Sequence, residues 1–330
     1  MTKQFDVLGI GNAIVDVLSK VEDQFLLTNE IPKGSMQIID EKTAQHLYST
    51  MGAGIEISGG SAANTAVGVA QLGGQAAFFG KIKTDQLGEV FRHDITASNV
   101  TFPTQDATTG PETARSFILV TPDGERTMNT FLGACVEFGP QDIDVDTVKA
   151  SKVTYMEGFL WDPEQAKKAF VKAAQIAREA NRDVSLSLSD SFCVDRHRES
   201  FLELVKRDID ILFANEDEIK SLYQVDTFDD ALQAVRQDCK IAALTRSSAG
   251  SVIVSPNEIH IVEAETIDKV IDTTGAGDLF AAGFLAAYTK NKDLVSCARL
   301  GSMAAAEVIS HIGARPQANL LEMAQVKGLL

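Results

Sequence analysis

Basic side chains are in short supply. The 330-residue chain carries 30 Lys and Arg against 46 Asp and Glu, a formal charge of −16, which argues against a general affinity for nucleic acid or an anionic membrane. A local basic or amide-lined pocket for phosphate is compatible with that charge. Long apolar runs are also missing. The longest, Leu279 to Tyr288, is about half of the ~20 residues a spanning helix needs. Met1 to Asp6 has no charged leader followed by an apolar core, so no signal peptide is expected. Cysteine is sparse: Cys135, Cys193, Cys239 and Cys297 form no C-x-x-C pair and read as reduced, mostly buried thiols of a cytoplasmic protein. His46, His93, His197, His260 and His311 are scattered and read as structural.

Several catalytic signatures are absent. There is no G-x-x-x-x-G-K-[ST] loop, no H-E-x-x-H and no G-x-S-x-G elbow. A phosphate site on this sequence must therefore do without a Walker lysine and rely on glycine amides, a helix end and another cation.

What is present is 45% apolar and 23% charged residues, the make-up of an ordinary globular protein, which excludes disorder, collagen and coiled coil. The length allows one large or two ordinary domains. Apolar runs at Phe5–Ile10, Lys152–Glu157, Asp183–Ser189, Ile209–Ala214 and Ile241–Arg246 read as strands. Between the second and third lies a helix pattern. Asp162 is placed to cap it, Pro163 suits its first position and Gln165 completes a capping box. Its apolar face is Ala166, Ala169, Phe170, Ala173 and Ala177, and Asn181 ends it. Strand, helix, strand at this spacing predicts a mostly parallel sheet covered by helices. Two stretches break the rhythm: about 18–57, and a hairpin of Arg115–Thr121, the turn Thr121-Pro122-Asp123-Gly124, and Arg126–Leu132. They read as a small β layer attached to the main body.

Asp272-Thr273-Thr274-Gly275-Ala276-Gly277-Asp278 is the most informative segment. Ala276, Leu279, Phe280, Gly283, Phe284 and Ala287 follow on one helical face, so a Gly-rich turn opens directly into a helix N-terminus. Small residues and the dipole suit an anion there, and phosphate fits best. Asp278 would repel that anion, unless it serves as a base for an attacking hydroxyl. The alternative is that Asp278 only stabilises the helix start. Gly59-Gly60-Ser61-Ala62-Ala63-Asn64 opens another helix, where Asn64 offers donor and acceptor or the small residues serve close packing. Gly9-Ile10-Gly11-Asn12-Ala13-Ile14-Val15-Asp16 resembles a dinucleotide fingerprint but has Ile14 where the third glycine belongs. Asn12 and Asp16 remain, at the carboxyl end of the first strand, where open α/β sheets hold ligands.

Together, 272–278 and 59–64 resemble the two signatures of the ribokinase (PfkB) family of carbohydrate and nucleoside kinases, and the resemblance covers essentially the whole chain. It implies an α/β fold: a ribokinase-like three-layer α/β/α sandwich with a mainly parallel central sheet and a small β lid. The whole chain, 1–330, is then one kinase domain, with the lid contributed by about 18–57 and 102–136. The resemblance assigns Asp278 as general base and Gly275, Ala276 and Gly277 as its anion hole. Asn215-Glu216-Asp217-Glu218 resembles the N-x-x-E motif that acts on magnesium and phosphate, with Glu218 reaching Mg²⁺ through a water. Thr245 and Gly250 match a nucleotide loop from which the sequence departs at Ser247, where glycine is usual. Asn12 and Asp16 are similar to the sugar-holding residues of the adenosine kinase branch, with Gly60 and Asn64 beside the substrate. In that branch Phe159 and Met36 would close on a purine, and Arg126 resembles a lid arginine that approaches the transferring phosphate.

The reading is an ATP- and Mg²⁺-dependent kinase of a primary hydroxyl, with adenosine as the acceptor. The alternatives are a family sugar kinase acting on ribose or fructose, a nicotinamide-dependent oxidoreductase, and a non-catalytic nucleotide sensor. Asp272 and Thr274 match positions that hold potassium in some relatives, so dependence on K⁺ stays open. So does the choice between a monomer and a lid-mediated homodimer, since Phe117, Ile118 and Leu119 could pack beneath or pair between subunits.

Overall fold

The described residues, 4–330 of a computed structural model, form two sheets. The expectation of a leader-free start lies outside them for residues 1–3. In chain order the strands are β1 (Phe5–Ile10), β2 (Ile14–Lys20), β3 (Met36–Ile38), β4 (Ile55–Gly59), β5 (Ala76–Phe79), β6 (Val100–Thr101), β7 (Ala114–Val120), β8 (Arg126–Phe131), β9 (Ser151–Glu157), β10 (Asp183–Ser187), β11 (Ile211–Asn215), β12 (Ile241–Thr245), β13 (Ser251–Val254) and β14 (Ile259–Val262).

The large sheet runs β14-β13-β12-β11-β10-β9-β1-β5-β6. It is parallel from β6 through β12, and β13 and β14 are antiparallel at one edge. Successive side chains leave opposite faces of a strand, and β1 shows it: Val7 enters one core, Leu8 and Ile10 the other. The helices Ser61–Gln71, Ala276–Tyr288 and Leu294–Val308 cover the first face, and Glu164–Glu179, Ser191–Asp208 and Phe228–Val235 the second. Burial on both faces is why the central strands read as continuous apolar runs. The result is a three-layer α/β/α sandwich.

In the helix Glu164–Glu179 the expected face of Ala166, Ala169, Phe170, Ala173 and Ala177 is buried. Asn181 adopts φ 55°, and the Arg182 amide closes the end on Ala177 O at 2.8 Å. The start differs from expectation. Asp162 has helical φ and ψ as the residue that follows the 3₁₀ turn Gly158–Trp161, whereas a capping residue needs extended backbone. Its carboxylate instead pairs with His197 and Arg196, and Pro163 takes the cap position without a side-chain bond.

The second sheet runs β3-β8-β7-β2-β4. The predicted hairpin is present, with Gly124 at φ 85° and its amide on Thr121 O. Phe117, Ile118 and Leu119 are buried in its interior strand. All four cysteines are free and buried. Among the described residues no helix is long and apolar enough to cross a membrane.

Candidate active site

Because β1, β9, β10, β11 and β12 are parallel, their carboxyl ends lie along one edge of the large sheet, and there β1 has partners that leave it in opposite directions. Crevices of this kind hold ligands in open α/β sheets. Asn12, Phe159, Asn215 and Thr245 all come from this edge.

The two Gly-rich segments meet beside it. Gly275 caps the helix Ala276–Tyr288 at φ 80°, and a Cβ there would press on Ala314 at 2.8 Å. A Cβ at Gly277 would meet no described atom within 4 Å. Gly275 is therefore fixed by the protein, while Gly277 faces open space over a helix start whose amides are unpaired within the helix. One turn in, Asp278 accepts from Ser61 Oγ at 2.6 Å and Asn64 Nδ2 at 2.9 Å, and its carbonyl accepts from Thr65 Oγ1 at 3.1 Å. Gly60, at φ 95°, turns the chain into the helix Ser61–Gln71 where a Cβ would run into Asn12 O. Burial raises the Asp278 carboxyl above the ordinary value, against the Ser61 and Asn64 hydrogen bonds that lower it. Asn64 Oδ1 is buried without a partner.

Three further ionisable groups surround this pair. Burial pushes Asp16 up to about 7; Arg315 opposes the rise and Asp278 adds to it. Glu157, at the end of β9, accepts from the Asn12 amide (2.7 Å), Asn12 Nδ2 (2.8 Å) and the Ala62 amide (2.6 Å). Burial raises it to about 7 despite those bonds. Glu157 thus ties the turn after β1 to the start of the Gly60-capped helix. Arg315 donates from Nε and Nη2 to Ser58 O, from Nη2 to Ser58 Oγ, and from Nη1 to Ala63 O at 3.2 Å.

Arg126, Asp272, Asn215, Glu218 and Thr245 each have defined partners around the glycine turn and the ends of β11 and β12. Arg126 pairs with Asp272 and reaches Thr274 Oγ1 at 3.3 Å, which brings it to the glycine turn. Asp272 also accepts from the Thr274 amide and hydroxyl and the Gly313 amide. Burial alone would raise Asp272; Arg126 and these donors outweigh it and hold the carboxyl below its ordinary value. Asn215 and Glu218 form a capping box: each Glu218 oxygen accepts from Asn215, and the Glu218 amide donates back to Asn215 Oδ1 at 2.9 Å. Burial raises Glu218 to about 7. Among the described residues no cluster of three or more His, Cys, Asp or Glu could hold a metal ion. Between Thr245 and Gly250, Ser247 sits at φ 49°, the backbone region glycine favours, and the Arg246 amide donates to Gly250 O at 2.8 Å.

Register places Met36. Met36, Met128, Ile118, Leu18 and Ile55 form one row across all five strands of the second sheet. Arg126 and Asp16, two residues from Met128 and Leu18, share that face. Met36 is 62% and Phe159 38% exposed.

Sequence reasoning missed Arg315 and the role of Glu157. Glu157 carried a usable signal, an acid ending a central apolar strand. Arg315 carried none, since nothing in Gly313-Ala314-Arg315-Pro316 foretells which segments it joins.

A β-layered α/β sandwich with a carboxylate held one turn into a helix that opens on a glycine turn has the parts that a phosphotransferase site needs. The model of the pfkB family carbohydrate kinases matches residues 41–319. A solved adenosine kinase from Sinorhizobium meliloti is 53% identical with a TM-score of 0.91, covering 98% of this chain and 100% of that one. A solved probable sugar kinase from Rhizobium etli CFN 42 is also 53% identical, with a TM-score of 0.92 and full coverage of both chains. Adenosine kinase from Saccharomyces cerevisiae is 27% identical over 92% of this chain and 94% of its own length. The chain belongs to the pfkB family of carbohydrate kinases. It is an ATP-dependent phosphotransferase with an alcohol group as acceptor, acting on a sugar or nucleoside, and such kinases work with a divalent cation.

Proposed function

We propose that the protein phosphorylates the 5′-hydroxyl of a ribonucleoside, adenosine, from ATP. The observation that carries this is Asp278, gripped by Ser61 and Asn64 in the first turn of the helix that follows the glycine turn, with its charge acting on Asp16. Asp278 takes the hydroxyl proton as that oxygen attacks the γ-phosphorus, and the bond to the β-phosphate oxygen breaks to release ADP. Amides at Gly275 and Gly277, with that of Ala276 once it leaves Thr273 O (3.2 Å), and the guanidinium of Arg126 receive the developing phosphoryl charge. Asp16 and Asn12 hold the ribose hydroxyls, and the unpartnered Asn64 Oδ1 is an acceptor available to a donor. Gly60 lets the helix start pass close to Asn12, where a Cβ would run into Asn12 O, and so keeps Asn64 beside Asp278. Met36 and Phe159, both exposed, cover the base, for which stacking contributes ~1–3 kcal/mol.

Thr245, Gly250 and Asn215 are assigned to ATP. Mg²⁺ would be held chiefly by phosphate oxygens and water, with Glu218 acting through a water because both its oxygens already accept from Asn215. Asp272 and Thr274 are engaged with each other, Gly313 and Arg126, so a K⁺ ion there would rely on backbone carbonyls. The second sheet, with 18–57 and 102–136, serves as the lid of a single domain. Burial of Phe117, Ile118 and Leu119 supports packing over a subunit-pairing role for these residues. Four buried free thiols suit a reducing, cytoplasmic setting.

The name of the Rhizobium etli relative favours the second reading, a sugar kinase. ADP release measured across nucleosides and free sugars, with and without Mg²⁺, decides between them. Turnover of adenosine with none of ribose or fructose supports the proposal, and the reverse pattern overturns it.

A further inference from the structure

We propose that Arg315 is a positioning residue for this reaction: its guanidinium is clamped between the end of β4 and the first turn of the helix Ser61–Gln71, fixes the donors that grip Asp278, and supplies a positive charge shared by Asp16 and Asp278. The proposal rests on the reading of Asp278 as base.

Three consecutive residues join three parts of the site. The Gly313 amide donates to Asp272, Ala314 backs Gly275, and Arg315 reaches Ser58 and Ala63. Ala63 lies between Ser61 and Asn64, the two donors to Asp278. Ser58 is on β4, one residue before the Gly59 that pairs with Ile14 of β2, the strand carrying Asp16. Arg315 therefore fixes the base's donors against the sheet that presents Asp16.

Its charge is not required for those bonds. Carbonyl and hydroxyl oxygens also accept from a neutral amide, though more weakly than from a cation, and a buried guanidinium is costly without compensation. Among the described residues Arg315 makes no ion pair, yet Asp94, Asp16 and Asp278 all act on its charge. Asp94 approaches from the helix Gln86–Ala97 and accepts from the Ser58 amide at 2.8 Å. The other ionisable groups on which the Asp278 charge acts are Asp16 on β2 and Glu157 and Tyr155 on β9. With no ion pair of its own, the Arg315 charge opposes the rise that burial imposes on Asp278.

The test is the pH dependence of kcat in Arg315→Gln, Arg315→Lys and Asp94→Asn, with folding followed by circular dichroism. Arg315→Gln loses the charge and keeps a single, shorter amide donor in place of Nε, Nη1 and Nη2, so the acid limb moves to higher pH by about one unit and rate returns as pH rises. Arg315→Lys keeps the limb near its original position. Asp94→Asn, which removes an acid competing for the cation, moves the limb to lower pH. A folded Arg315→Gln protein whose rate falls equally at every pH with an unmoved limb overturns the proposal. If that protein does not fold, an unmoved limb in Asp94→Asn overturns it. Full turnover by Asp278→Asn would instead remove the base reading, a separate result.

Discussion

Asn64 Nδ2 donates to Asp278 Oδ2 at 2.9 Å across 214 residues of sequence. With the Ser61 bond to the other oxygen, this leaves the carboxylate oriented from one helix while it sits in the first turn of another. Two segments that are separately only suggestive, each a glycine turn into a helix, become one site through this contact. Both donors stabilise the charged carboxylate, as a base must be charged to accept a proton.

The glycines of the anion turn should separate by variant. Gly277→Ala places a methyl where no described atom lies within 4 Å, so thermal stability should hold or rise slightly, as alanine favours a helix. The same methyl intrudes on the space assigned to phosphate, so kcat/KM for ATP should fall about tenfold or more. Gly275→Ala should destabilise the fold, because φ is 80° and Ala314 is at 2.8 Å. Thermal melts and steady-state kinetics on the two variants check this.

Stability should depend on pH in a stated direction. Asp16, Glu157 and Glu218 are raised by burial to about 7 from ordinary values of 3.8, 4.5 and 4.5. The folded state holds these protons more tightly than the unfolded one, so their contribution is full below the ordinary values and is lost as pH rises through about 7. Asp272 is lowered, and its contribution is lost only as pH falls below the ordinary carboxylate range. The unfolding midpoint should therefore be higher near pH 5.5 than at pH 8. Glu218→Gln, which can keep the capping box, should flatten that slope by about one proton.

Ser247 lies at φ 49° in the loop between Thr245 and Gly250. A side chain in this region costs roughly 1–2 kcal/mol, part of which glycine gives back through the freedom of the unfolded chain. Ser247→Gly should stabilise the protein by about 0.5–1 kcal/mol in urea unfolding, with no loss of ATP turnover.

Much of the fold could be read from the chain because parallel strands buried on both faces are continuous apolar runs, as at Ile241–Thr245, and because glycine turns mark helix starts. Asp162 misled because a 3₁₀ turn, set by tertiary packing of Trp161 against Phe170 and Phe201, gave it helical backbone. The site was legible where backbone geometry demands glycine, at Gly60 and Gly275. It was not legible where one long side chain joins distant segments, as Arg315 does with Ser58 and Ala63, since no local pattern records such a partner.

Asp278→Asn tests the account most directly. An asparagine fits the same space and keeps an acceptor for Ser61 or Asn64, but it cannot take a proton. With adenosine and MgATP, turnover should fall by about 10²–10⁴-fold while ATP binding, followed by calorimetry, stays near that of the parent protein. An Asp278→Asn protein with undiminished ADP release would contradict the account.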